Sequence, residues 1–258
     1  MIITDRDRLI ELEHIALEIE TKLNVSFNEA LAAWGLDVSE LAGIDLRGEN
    51  LNHADLQCAN LENAQLDKAI LRNALLSKAS LKNAVLEQAD LTRADLRMAK
   101  LQGAVLRDAL APKADFSGAD LTGAKLQGAE LFQAKLENAD LSTAGLLGAN
   151  LGFAECSQAN LSEARLQVAN LTNANFENTN LQGANLQAAT LRGTRLLNAH
   201  LVGANLTKVR FGRSDFEGAY VDEKFAKSAR LRYVTTKQSG VVCITSPPRA
   251  KRQNKITA

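Results

Sequence analysis

A five-residue period runs through most of this chain and leaves few folds open to it. The middle reads Ala169-Asn170-Leu171-Thr172-Asn173, Ala174-Asn175-Phe176-Glu177-Asn178, Thr179-Asn180-Leu181-Gln182-Gly183. Leu or Phe fills every fifth position from Leu46 to Phe216 except Ala111 and Cys156. Ala stands two residues before each of these from Ala54 to Ala219, apart from Thr179, Thr194, Val209 and Ser214. The register holds from about Leu41 to Val221 without an insertion. A fixed short period of this kind marks a solenoid.

The residue types say how each repeat is built. An Ala, a polar residue and the central Leu or Phe alternate in-out-in, the pattern of a very short strand. The next two residues must turn the chain so that the following Ala points inward again. The second of them is rich in Gly and Asn, as at Gly103, Gly118, Gly123, Asn63, Asn73 and Asn83. Those residues accept the positive φ that a type II turn requires at its second central position. An amphipathic helix is excluded, because apolar residues recur here at offsets of two and three. A leucine-rich repeat is excluded by its period of about 20–29 residues.

The repeat resembles the pentapeptide-repeat family, whose consensus A(D/N)LXX is met at Ala119-Asp120-Leu121-Thr122-Gly123 and at Ala149-Asn150-Leu151. The resemblance covers residues 41–221. It implies an all-β solenoid: a right-handed quadrilateral parallel β-helix with four repeats per coil. About nine coils at roughly 4.8 Å each would give a rod of about 43 Å. Both ends of such a stack expose unpaired backbone and need caps.

Charge divides the chain into three parts. Residues 1–40 carry nine acids and three bases, residues 41–221 carry 19 and 18, and residues 222–258 carry two and nine. In the first part Leu9, Leu12, Ala16, Ile19 and Leu23 predict an amphipathic helix from about Asp5, with Thr4 as its cap. Ser26 and Glu29 begin a second helix, through Trp34 to Gly35. These make residues 1–40 a small α-helical N-terminal cap, with an acidic surface that would suit a basic partner. In the last part Val221, Phe225 and Ala229 predict a cap helix, and Val241 to Ile244 a strand for the exposed edge. Residues from Arg249 onward read as a disordered basic tail. Phe225 is also the candidate dimer surface, since family members are known to pair through this end.

No constellation of catalytic residues stands out. His14, His53 and His200 lie in unrelated settings, and Cys58, Cys156 and Cys243 have no metal-ligand spacing. Cys156, at a central position, reads as a small core side chain. No phosphate-cradling glycine motif occurs. The uninterrupted register leaves no loop from which to build a cleft. Neither an enzyme nor a cofactor is expected. The N-terminus lacks a basic region followed by an apolar run, and no apolar run reaches membrane-spanning length, so a cytoplasmic location is expected.

What remains is a contact surface. On the side that holds Leu131 and Leu151, the outward positions include Leu110, Phe132 and Phe153 on three successive coils; an adjacent side offers Leu147 and Val168. Contiguous apolar side chains on a polar surface suggest contact with another protein. The alternative for the two Phe rings is to lie flat along the coil over backbone. Leu110-Ala111-Pro112 is the one local departure, expected as a bulge or small cavity, or as a place where Leu110 is pushed outward. The leading expectation is a rigid scaffold or regulator for an unidentified protein partner. Some family members in filamentous photosynthetic bacteria influence cell differentiation. Others mimic duplex DNA and bind type II topoisomerases, which is the alternative. A nearly neutral repeat region counts against such mimicry. Direct nucleic-acid binding has only the four bases of the tail, Arg249, Lys251, Arg252 and Lys255, to support it.

Overall fold

The computed structural model describes Leu31 and residues 37–228, 234–238 and 241–244. Its centre is a parallel β-helix. Every bridge from Asp45↔Gln65 to His200↔Tyr220 joins residues twenty apart, so four repeats close one coil and the rod has four sides. The Ala and Leu positions are buried from Ala54 to Leu201 and partly buried at Ala204 and Leu206 near the far end, and each coil stacks its four central side chains on those of the next.

Each repeat satisfies its backbone donors in a fixed way, seen around Leu56. The N–H of Ala54 closes the preceding corner on the Leu51 carbonyl at 3.1 Å. The N–H groups of Leu56 and Cys58 reach forward to Leu75 and Ser77 on the next coil, at 2.8 and 3.0 Å. At the outward strand position the N–H points back a coil, as from Gln65 to the Ile44 carbonyl at 2.8 Å. That leaves the first corner residue. Gln57 N–H donates to the side-chain oxygen of Asp55 at 3.2 Å, and the same bond recurs from Ser117 to Asp115 and from Thr172 to Asn170. Asp or Asn beside the central Leu therefore completes the backbone pairing, as in an Asx turn.

The second corner residue has positive φ throughout, between 53° and 75°, at 25 non-glycine residues and 11 glycines. Asn, Gly and Asp tolerate this; Val168 at φ 59° and Thr143 at φ 59° are β-branched and strained there.

No bulge forms at Ala111. Its N–H donates to the Glu130 carbonyl at 2.8 Å, and Leu110 bridges both Asp90 and Glu130 in register. The expected bulge is absent because Pro112 falls on a first corner position, whose N–H bonds only to a side chain elsewhere in the rod, so a missing donor breaks no coil-to-coil pairing. Where Thr or Ser replaces the inward Ala, the hydroxyl finds a carbonyl on the coil before: Thr179 Oγ1 donates to Cys156 and Thr194 Oγ1 to Leu171, at 2.8 and 2.7 Å. Ser214 does the same to Leu191.

The ends are closed differently. At the start, Asp37 caps the 3₁₀ turn Val38–Glu40, and the helical residue Leu31 is buried with the core. The two predicted N-terminal helices otherwise lie outside the described residues, as does the basic tail. At the far end β1 (Tyr220–Asp222) leads into α1 (Glu223–Ser228), and β2 (Val234–Gln238) and β3 (Val241–Ile244) follow. Strand β3 pairs antiparallel with β1, Tyr220 facing Cys243, and β2 pairs on its other edge. The predicted strand thus covers the open edge that Tyr220–Asp222 presents at the end of the rod. Helix α1 brings Phe225 to Phe211 and Phe216, with ring centroids 6.0 and 6.2 Å away, over the end of the core. The Asp222 carboxylate takes the Gly203 N–H at 3.0 Å, where a further coil would have supplied a carbonyl.

Candidate interaction surface

In chain order the four sides are A, with central residues Leu126, Leu146 and Leu166, B, with Leu131, Leu151 and Leu171, C, with Leu136, Cys156 and Phe176, and D, with Leu141, Leu161 and Leu181. Each side is counted with the corner that follows it. Phe132 is the first corner residue after Leu131, and Phe153 is the second corner residue after Leu151 on the next coil. Their rings meet edge to face with centroids 5.6 Å apart, an arrangement that aromatic quadrupoles favour. Phe132 leans over the buried Gly152: a Cβ there would stand 3.3 Å from Phe132 Cδ2. So one ring does cover backbone, while Phe153 stays 47% exposed.

Leu147 and Val168 repeat the same diagonal one corner earlier, twenty-one residues apart, and both are exposed. Leu147 lies three residues before Asn150 and Phe153 three residues after it. The two apolar pairs, which the sequence reading assigned to adjacent sides, therefore flank the two edges of side B. Between them runs a polar ladder. Asn170 Nδ2 donates to Asn150 Oδ1 at 3.0 Å, and Asn150 Nδ2 to Glu130 Oε2 at 2.7 Å. Leu110 continues this column one coil below Glu130 and is 43% exposed. The result is a shallow strip with apolar margins and an amide floor. Phe225, by contrast, is partly buried in the aromatic closure of the rod end.

Two further apolar residues are exposed outside this strip: Leu75, in the outward column of side C, and Met98, at a corner of the same side one coil on. The sequence signals the first, since Leu75 replaces the usual Asp or Asn.

Charge is also sorted by side. From Asp45 to Val221, leaving out the inward Glu49, sides A and B carry six acids and twelve bases, and sides C and D twelve acids and six bases. Several acids are tied into the rod. Hydrogen bonds from Arg97 hold the Asp95 carboxyl below its ordinary range. Burial raises the Asp90 carboxyl, but bonds from Thr92 and Arg72 outweigh it and the net shift is downward. Burial pushes the Cys156 thiol up, as suits a core side chain. His200 stacks on Tyr220 at 4.8 Å. Among the described residues no group of three His, Cys, Asp or Glu side chains is placed to hold a metal, and no helix is long and apolar enough to cross a membrane.

The family model described as pentapeptide repeats matches the chain in 8 copies, over residues 39–73, 69–108, 99–138, 114–151, 149–187 and 184–220. Among solved structures, HetL, a pentapeptide repeat protein involved in heterocyst differentiation regulation from the cyanobacterium Nostoc sp. strain PCC 7120, is 30% identical. That comparison covers 76% of this chain and 97% of HetL, with a TM-score of 0.33. Trypsin-treated QnrB1, a plasmid-mediated fluoroquinolone resistance protein, is 16% identical over 73% of this chain and 94% of its own, with a TM-score of 0.52. The likeness to QnrB1 is one of fold. No curated protein matches the chain significantly.

Proposed function

Because this chain belongs to the pentapeptide-repeat family, we propose that it is a non-enzymatic rod that docks a protein partner on side B. The observation that carries this reading is the pair of exposed apolar diagonals, Phe132 with Phe153 and Leu147 with Val168, on the two edges of one flat side. A rigid solenoid holds such groups at fixed spacing, so little ordering entropy is lost on binding. The regulatory role of HetL is in keeping with a scaffold of this kind. The test is affinity capture from lysate of the source cells, comparing the wild type with Phe132→Asp/Phe153→Asp at equal melting temperature. A partner held only by the wild type is expected; equal capture by both would remove side B from consideration.

One observation favours a second reading. The acids of the rod gather on sides C and D, and a mimic of duplex DNA needs a concentrated row of negative charge. Inhibition of, or protection from quinolones in, a gyrase supercoiling assay is the result that reading requires. No effect at any protein concentration would end it.

A further inference from the structure

Side B is not only apolar at its margins; it is the most basic side of the rod. It carries Arg72, Arg93, Lys113, Arg192, Arg210 and Arg213 against two acids. Both acids are engaged: Asp90 receives Arg72 Nε at 2.6 Å, and Glu130 takes the Asn150 amide. Beyond Glu130 toward the C-terminal end, side B has no acid at all. Arg192, Arg210 and Arg213 sit there within one coil step, all exposed, and no described carboxylate pairs with any of them. The protein has no net charge, so this is a local positive pole rather than the overflow of a basic protein.

We propose that the partner held on side B is an acidic protein segment that also carries apolar side chains. The inference rests on the scaffold reading and adds the chemistry of its partner. The apolar margins centre near Asn150, and the arginines lie between two and three coils farther on, roughly 10–15 Å along the rod. Two turns of helix span about 11 Å. A helical segment with a leucine pair over the amide floor and carboxylates two turns away meets both features at once. Arg donors suit carboxylates in paired geometry. Duplex DNA fits less well. It presents a charge about every 1.7 Å, whereas the middle of side B offers amides, Glu130 and two rings packed against each other.

The experiment is fluorescence anisotropy with the full-length protein and a labelled helix-forming peptide, carrying two leucines one turn apart and three glutamates two turns on. The controls replace Glu by Gln, or Leu by Ser, or use a labelled DNA duplex. Saturable binding is expected, weakened about tenfold or more in each control peptide, in Arg192→Glu/Arg213→Glu and in Phe132→Asp/Phe153→Asp. Binding that ignores the arginine variant overturns the inference, and so does a duplex bound as tightly as the peptide. No saturable binding overturns it as well. Self-association lost with the same arginines would replace the foreign partner by a second copy. If the arginine variant still captures a cellular partner that the phenylalanine variant loses, the scaffold reading stands and the acidic partner falls.

Discussion

Ala111 and Phe116 occupy successive central positions of one coil, so that the smallest central side chain in the rod stands beside one of its two largest fully buried ones. The other exception follows the same logic at right angles: Cys156 lies directly one coil below Phe176 on side C. In each case a deficit of volume neighbours an excess, and close packing is kept without a shift in register.

Restoring the consensus at one member alone is therefore harmful. Ala111→Leu is expected to destabilise by about 1–3 kcal/mol through overpacking, and Phe116→Leu to destabilise by leaving a void. The double variant recovers much of the loss. Urea midpoints of the four proteins in a double-mutant cycle measure this. Strict additivity would show that the two side chains do not share one volume.

Val168 offers a change in the opposite direction. A β-branched residue in the left-handed region is strained by about 1–2 kcal/mol, and here it is 63% exposed with little packing in return. Val168→Asn should raise stability by about 1 kcal/mol, seen as a higher urea midpoint at unchanged slope. On the scaffold reading the same variant weakens partner capture, and strain retained at a functional surface is the reason.

Thr194 isolates the worth of an inward hydroxyl. Thr194→Val keeps the shape and removes the bond to the Leu171 carbonyl, which still accepts the Ala174 N–H at 3.1 Å. A cost of about 1 kcal/mol is expected. A much larger loss by thermal unfolding would mean that the hydroxyl orders more than its own bond.

Acid sensitivity follows from the carboxylates. Asp90, Asp95 and Asp120 are all held below the ordinary carboxyl value when folded. Their contribution is complete above the unfolded value near pH 4 and is lost as pH falls through the lower, folded values. Stability should be flat from pH 7 to about 5 and fall below about 4. Asp95→Asn keeps an acceptor for the Arg97 N–H, 3.1 Å away in the wild type, but removes the charge. It should flatten that fall; an unchanged acid slope would exclude Asp95 as a contributor.

The repeat made the interior legible because inward positions obey one rule: Ala or Leu at a fixed offset is nearly all the core consists of. Outward positions obey two rules at once, and that hid part of the surface. Asp115 and Asn170 looked like solvated residues, yet each closes the backbone pairing of its own corner. The edge-to-face contact of Phe132 and Phe153 was also out of reach, because it depends on Gly152 leaving space beneath one ring. Leu147 and Phe153 border one side because each corner is shared by two neighbouring strands, which the period alone does not reveal. The closing sheet also needed β2, whose signal, the β-branched run Val234-Thr235-Thr236 before Ser239-Gly240, is short but present in the sequence.

The bridges between residues twenty apart make interior and exterior respond differently to a change in length. Removing one five-residue repeat clear of the Ala111–Phe116 and Cys156–Phe176 pairs would leave the interior nearly unchanged, since most inward positions on every side are Leu and Ala. Outside, everything beyond the cut would turn by a quarter: Arg192 would move from the column of Phe132 to its neighbour. Removing twenty would only bring the distal surface one step closer. Away from those pairs the backbone register accepts multiples of five, whereas the pattern it displays survives only multiples of twenty.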